Sequence, residues 1–167
     1  MRAATPEDAT AVAGVHVRSW QAGYRGLLPD EYLDALRPED RAAHYRFDAT
    51  DHDRPVTMLA TEAETIVGFA AAGASADHDP DQRIGELFAL YVDPSRWGCG
   101  IGRALLEDAR NRLSQRGYQE ARLWVLRGNS RAERFYRIDG WTADGAQRED
   151  RVWDLRVEEV GYCRALP

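Results

Sequence analysis

Lysine is absent from this sequence, and all 22 of its basic residues are arginine. The chain therefore lacks the residue that binds phosphate in a P-loop, and the residue that forms Schiff bases or carries pyridoxal phosphate. This single absence excludes three large classes of phosphate and carbonyl chemistry.

Cysteine and histidine are scarce. The two cysteines, Cys99 and Cys163, lie far apart and form no CxxC pair. The sequence therefore does not indicate a disulfide framework, which agrees with a reducing compartment. The four histidines are scattered and form no HExxH motif, so we expect no metal site. No GxSxG sequence marks a serine nucleophile either.

Long hydrophobic runs are also missing. The longest uncharged apolar stretch, residues 66–74, has nine residues, whereas a helix that spans a bilayer needs about 20. The start of the sequence shows no basic stretch followed by an apolar one, the pattern typical of a signal peptide. We expect a cytoplasmic protein with no membrane partner.

The charge balance is acidic, with a net charge of −6 and no basic stripe of the kind that neutralises phosphates in nucleic acids. Arginines that do cluster, such as Arg131, Arg134 and Arg137, lie at helical spacing. Such spacing is typical of a solvated helix face. We therefore expect no nucleic-acid partner.

What the sequence does contain is the pattern of an α/β domain. Its 167 residues, 44% of them hydrophobic, suffice for one core over residues 1–167. Helices are predicted at residues 5–20, 29–36 and 38–47, and an antiparallel pair of strands at residues 56–61 and 66–73. The rest reads as strand, helix, strand, helix and two strands, at residues 83–92, 101–116, 121–126, 129–139, 147–155 and 157–166. This order predicts a mixed sheet with flanking helices.

A glycine-rich turn, RWGCGIGR at residues 96–103, joins the strand at residues 83–92 to the next helix. Glycines let successive backbone N–H groups converge, and a helix N-terminus adds partial positive charge, so the turn suits a pyrophosphate. A dinucleotide-binding GxGxxG would need glycine at position 103, where this chain has Arg103, and a P-loop would need lysine. A turn that only eases strand–helix packing stays open as an alternative.

Three ordered segments resemble the GNAT superfamily of N-acetyltransferases. Residues 97–102 match the family's (Gln/Arg)-x-x-Gly-x-(Gly/Ala) turn, although Trp97 stands where the family has a polar residue. Residues 86–94 look like its strand before the turn, and residues 129–136 look like its N-x-x-A-x-x-F-Y segment. With residues 2–9 resembling its opening, the likeness covers nearly the whole chain. It implies a mixed, twisted sheet with a splayed central strand pair.

The resemblance implies that acetyl-CoA binds as a co-substrate between the splayed strands. Asn129 and Ala132 would lie against it at the start of the last helix. The strand backbone would hold the pantetheine arm through Leu90, Tyr91 and Val92. The turn would hold the pyrophosphate through Trp97, Gly98, Cys99, Gly100, Ile101, Gly102 and Arg103, with Cys99 contributing its backbone N–H and not a nucleophile.

Two side chains match catalytic positions of the family. Tyr136 would protonate the leaving thiolate, and Glu86 would act as the base that takes the proton of the attacking amine. Each also has a purely structural alternative, which is half-buried packing for Tyr136 and an outward-facing strand carboxylate for Glu86.

The resemblance further implies an acceptor site built from the first two helices, with Trp20, Tyr24 and Trp124 as candidate substrate-binding residues. The predicted activity is direct transfer of an acetyl group to a primary amine of a small molecule, amino acid or peptide, and the predicted assembly is a homodimer. A regulatory module that binds acyl-CoA without turnover is the alternative. A third candidate, acetylation of charged tRNA, is disfavoured by the net charge of −6.

Overall fold

Residues 1–47, 55–75 and 83–167 are described by the structure, a computed structural model. Their strands form one sheet of seven strands. The strands are β1 (Arg2–Ala3), β2 (Val56–Glu62), β3 (Thr65–Ala74), β4 (Ile84–Val92), β5 (Glu120–Leu126), β6 (Thr142–Val152) and β7 (Leu155–Ala165). Their order across the sheet is β1-β2-β3-β4-β5-β7-β6, and β4–β5 is the parallel pair among otherwise antiparallel neighbours. The predicted mixed sheet is confirmed.

Helices cover both faces of this sheet. They are α1 (Ala9–Gly23), α2 (Asp30–Ala35), α3 (Pro38–Ala42), α4 (Ile101–Gln115) and α5 (Ser130–Ile138). Leu59 and Phe69 pack with α1, while their chain neighbours Ala60 and Ala70 pack with α4. Successive side chains of a strand point to opposite faces, so α1 and α4 lie on opposite sides of the sheet.

The central strands β4 and β5 separate along their length. They pair only from Ile84 with Glu120 to Leu87 with Leu123. Beyond that point β4 continues with β3 up to Val92, and β5 continues with β7 up to Leu126. The predicted splayed pair is confirmed. The gap leaves one edge of β4 without a strand partner inside the molecule.

Several boundaries differ from the prediction, and β6 begins at Thr142 and not near residue 147. The last hairpin turns at Trp153, which has a φ of 56°, and not near residue 156. The Trp153 ring stacks on Trp20 at 4.5 Å between centroids, so packing against a distant helix determines the turn. Similarly, α3 ends at Ala42 and not near residue 47, because Tyr45 and Phe47 pack against the α1 core.

The part of the chain that the structure describes contains no helix both long and apolar enough to cross a membrane.

We expect Leu105→Ala in α4 to lower the free energy of unfolding by about 2–5 kcal/mol, because truncating a buried leucine leaves a cavity in the core. Leu105 has no exposed surface, whereas Leu27 is 38% exposed. The control Leu27→Ala should change stability by about 0.5 kcal/mol or less. Urea unfolding measures both values, and equal losses would contradict the assignment of Leu105 to the core.

Candidate active site

A cavity of about 400 Å³ occupies the gap between β4 and β5. Its wall comes mainly from the second half of β4, the glycine-rich turn, the start of α4 and one face of α5, and residues of α1 and β5 complete it. The structure brings to it these sequence-predicted residues: Leu90, Tyr91, Val92, Trp97, Gly98, Gly100, Ile101, Gly102, Arg103, Asn129, Ala132 and Tyr136. Segments that are separate in the sequence thus share one site.

The glycine-rich turn presents unused backbone donors to this cavity. Gly98 and Gly100 adopt left-handed φ values of 79° and 82°, and a Cβ built on either would meet no atom within 4 Å. The first intrahelical bond of α4 runs from the N–H of Ala104 to the carbonyl of Gly100. The N–H groups of residues 100–103 have no acceptor among the described residues, as expected at a helix N-terminus. This geometry suits an anion.

Cys99 differs from its neighbours in the turn. Its N–H donates to the carbonyl of Arg96 at 3.4 Å, and the residue is exposed outside the cavity wall. The short helical turn Pro94–Arg96 positions that carbonyl beneath Cys99. Cys99 therefore closes the turn, and the structure does not bring it to the cavity with the other predicted residues.

Trp97, which departs from the family pattern, has a structural role. Its Nε1 donates to the carbonyl of Val92 at 2.8 Å, and the Arg131 guanidinium lies 3.6 Å from its ring centroid. The hydroxyl of Ser19 donates to the same carbonyl at 2.8 Å. Two donors occupy both lone pairs, so the Val92 carbonyl is unavailable to a ligand. Trp97 thereby ties the turn to β4 and α5.

The α5 residues face the cavity in a fixed arrangement. Asn129 is buried and caps the helix, with its Oδ1 accepting from the N–H of Ala132 at 3.1 Å. Tyr136 is half-buried, and its ring packs on Trp141. Burial, reinforced by the hydroxyl of Tyr91, raises the pKa of Tyr136, so the phenol stays protonated well above neutral pH.

A second cavity, of about 340 Å³, adjoins the first. The two share the wall residues Tyr24, Leu87, Phe88, Tyr91 and Trp124. Its far wall comes from α1, α3 and the β6–β7 hairpin, and its charged lining is Arg41, Glu86, Arg148, Asp150, Arg151 and Glu159. A molecule bound in the second cavity would therefore contact a molecule bound in the first cavity through the gap between β4 and β5.

Glu86 lies in the second cavity and not in the first. Its carboxylate accepts a hydrogen bond from the hydroxyl of Ser75 at 2.8 Å, and the residue is 4% exposed. The alternative of an outward-facing edge carboxylate is therefore wrong, because the Glu86 side chain is buried and β4 has strand neighbours on both sides at this position.

The three predicted acceptor residues, Trp20, Tyr24 and Trp124, all line the second cavity. Tyr24 lies edge-on to Trp20 at 4.8 Å, and the Arg148 guanidinium lies 4.3 Å from the Trp124 ring. Burial raises the pKa of Tyr24 well above its usual value. These side chains form an aromatic wall that is neutral at physiological pH.

Several residues of the two cavities escape sequence reasoning. Ser19 has a weak signal, since it is a hydroxyl on the buried side of α1. Arg131 is exposed, in line with its helical spacing, but nothing in the sequence indicates that its guanidinium lies over the Trp97 ring. Arg41 and Trp153 carry no local signal, because hydrophobic spacing and motifs say nothing about their partners. Glu159 has no signal in the sequence either. Burial raises its pKa, although Arg148 donates a hydrogen bond to its carboxylate.

Among the described residues, no group of three or more histidine, cysteine, aspartate or glutamate side chains is arranged to hold a metal ion.

Comparison with known proteins agrees with this geometry. An uncharacterized N-acetyltransferase of Bacillus subtilis, YuaI, is 30% identical over 77% of this chain and 72% of its own. The spermidine N(1)-acetyltransferase of Thermoplasma acidophilum is 25% identical over 91% of this chain and 93% of its own. The PaiA N-acetyltransferase of the same organism, solved in complex with coenzyme A, superposes with a TM-score of 0.71 and 23% identity over 95% of both chains.

The sequence profile of the acetyltransferase (GNAT) family matches residues 18–141, a span that contains the glycine-rich turn, both splayed strands and all of α5. The chain therefore belongs to the acetyltransferase (GNAT) family, and it is an acyltransferase.

Proposed function

We propose that this protein transfers an acetyl group from acetyl-CoA to a primary amine by direct attack within a ternary complex. The observation that carries the proposal is the set of unused N–H groups at residues 100–103, in the same cavity as Tyr136. The acceptor is a small molecule, an amino acid or a peptide. The spermidine acetyltransferase among the relatives supports a small amine.

The cavity residues fit coenzyme A. The N–H groups of residues 100–103 would bind the pyrophosphate, with the Arg103 side chain beside them, since a helix N-terminus favours phosphate. The unpaired edge of β4 from Phe88 to Val92, apart from the occupied Val92 carbonyl, offers backbone groups to the amides of pantetheine, as a strand does to an added strand. When bound, acetyl-CoA supplies an activated thioester.

Tyr136 is the proposed general acid. Its raised pKa keeps its proton in place at neutral pH, and it lines the cavity opposite β4. A protonated phenol at that position can donate to the sulfur as the thiolate leaves.

Glu86 is the proposed base. It precedes Leu90 by four residues, which is about 13 Å along a strand, so direct contact with an amine near Leu90 is not expected. Its place in the second cavity supports a relay in which water carries the proton from the amine to the carboxylate. The shared wall residues Tyr91 and Trp124 would orient the amine at the boundary of the two cavities.

Homodimer formation, a cytoplasmic location and the lack of a nucleic-acid partner stay predictions from the sequence. The regulatory alternative remains distinct in its consequence, since such a module would bind coenzyme A without releasing thiol from acetyl-CoA.

Coenzyme A should raise the melting temperature by about 5–10 °C at a hundredfold excess over its Kd, because it binds only the folded chain. Gly100→Val should abolish this rise by placing a branched side chain in the pyrophosphate site. Gly145→Val is a matched control, since Gly145 has a φ of 83°, an equally open Cβ position and no place on the cavity wall. Differential scanning calorimetry of the three proteins, with and without coenzyme A, measures the melting temperatures. A wild-type melting temperature that coenzyme A does not change would contradict the cofactor proposal.

Tyr136→Phe should lower kcat by about 10²–10⁴-fold, the usual size of general acid catalysis, with unchanged coenzyme A binding. Because the pKa of Tyr136 is raised, the wild-type kcat should not fall with pH from loss of this proton below about pH 10. Thiol release under single-turnover conditions, followed across pH, measures both the loss of rate and its pH dependence. Tyr118→Phe, in a tyrosine outside both cavities, should leave kcat intact. Equal rates for all three proteins would assign Tyr136 to packing alone.

Glu86→Gln should lower kcat/KM by about 10²-fold at neutral pH, because an amide keeps the contact with Ser75 but accepts no proton. The loss should shrink as pH rises toward the pKa of the acceptor amine, where the free amine no longer needs a base. Glu107→Gln, an exposed carboxylate of α4, is the control. A pH–rate profile separates the roles, since a loss that is uniform across pH would instead assign Glu86 to holding a cationic substrate.

A further inference from the structure

Arg41 of α3 is a half-buried cation on the wall of the second cavity. Its guanidinium lies 5.2 Å from the centroid of the Tyr45 ring and 5.0 Å from that of Trp153. Its Nε donates to Nδ1 of His16 at 3.4 Å. No carboxylate among the described residues forms an ion pair with it.

The other arginines of this cavity are already paired with carboxylates. Arg148 binds Glu159 at 2.8 Å and Asp150 at 3.3 Å. Arg151 lies 3.6 Å from Asp154 at the exposed rim. The cavity therefore has one cation, Arg41, to which the described part of the chain supplies no counter-charge.

The neighbours of Arg41 do not supply a charge either. Burial, and then the positive charge of Arg41, lowers the pKa of His16 well below its usual value, so the imidazole is neutral. Burial raises the pKa of Tyr45 to about 12, and burial also raises that of Tyr32. A guanidinium held among neutral rings interacts more strongly with an anion than one in water.

The chemistry of the cavity favours a carboxylate as that anion. The planar fork of an arginine matches a carboxylate with two parallel hydrogen bonds. A phosphate would bring up to two negative charges beside the carboxylates of Glu86, Asp150 and Glu159, which line the same cavity. The stacked rings of Trp20 and Trp153 offer an apolar surface for the rest of the ligand.

We propose that the acceptor of this enzyme is an amino acid, whose carboxylate binds Arg41 in the second cavity while its amine reaches the wall shared with the first. This inference deepens the acetyl transfer proposed above and depends on it. It disfavours polyamines, because they would place a cation beside Arg41.

Matched acceptor pairs test the inference. Each pair has the same skeleton with and without a carboxylate: L-tryptophan with tryptamine, 4-aminobutyrate with propylamine, and 6-aminohexanoate with pentylamine, with spermidine added. Acetylation is followed by thiol release, and binding to the protein saturated with coenzyme A is followed by calorimetry. The carboxylate-bearing member of the best pair should be preferred by about 10–100-fold, the usual contribution of a charged hydrogen bond.

Variants assign that preference to Arg41. Arg41→Gln should raise KM for the amino acid until the preference disappears, with kcat unchanged and the simple amine unaffected. Arg41→Lys should restore part of the preference, since it keeps the charge but not the fork. Arg46→Gln, in a nearby exposed arginine, should behave as wild type.

A preference for spermidine or for the simple amines would overturn the inference and leave the acetyl transfer standing. Equal losses for both members of a pair in Arg41→Gln would also overturn it, because Arg41 would then only support Tyr45 and Trp153. If no amine is acetylated although coenzyme A binds, the proposed function fails. The calorimetric preference then decides the inference separately, and its absence would refute it.

Discussion

The feature on which the rest of the site depends is the early end of the pairing between β4 and β5. Past Leu87 and Leu123 each strand keeps only its outer neighbour, so the two diverge within a continuous sheet. A register shift between Ala71 and Ala72 of β3, which pair with Ala89 and Leu87, leaves one extra residue in β4 where the divergence begins. An extra residue of this kind bends the strand that carries it. Both cavities lie along the opening, and five residues belong to both. A fully paired sheet would offer neither an unused strand edge nor a passage between the two cavities.

The source of positive charge differs between the two cavities. In the first cavity, partial positive charge comes from the N-terminus of α4, while Arg131 lies over Trp97. In the second cavity, Arg148 is bound to Glu159 and Asp150, and Arg41 lies over aromatic rings. A chain that uses arginine for every basic position gains planar cations that stack on tryptophan, which lysine does less well.

The contiguous parts of the site could be predicted from the sequence. The glycine-rich turn, the start of the last helix near Asn129 and the order of strands and helices depend on residues within a few positions of each other. Local backbone geometry, such as the left-handed φ of Gly100, is encoded by the residue itself. For the same reason the family was recognisable before any contact was known.

The sequence by itself determined the fold class, the glycine-rich turn and the list of candidate site residues. The tertiary structure decided which of them meet. It gave Trp97 a hydrogen bond to Val92, left Cys99 outside the wall of the first cavity, and placed Glu86 in the second cavity. It also brought Arg41 to Trp153, a contact between a short helix and a distant hairpin. Such contacts depend on how elements pack, and the spacing of residues along one element carries no record of its partner on another.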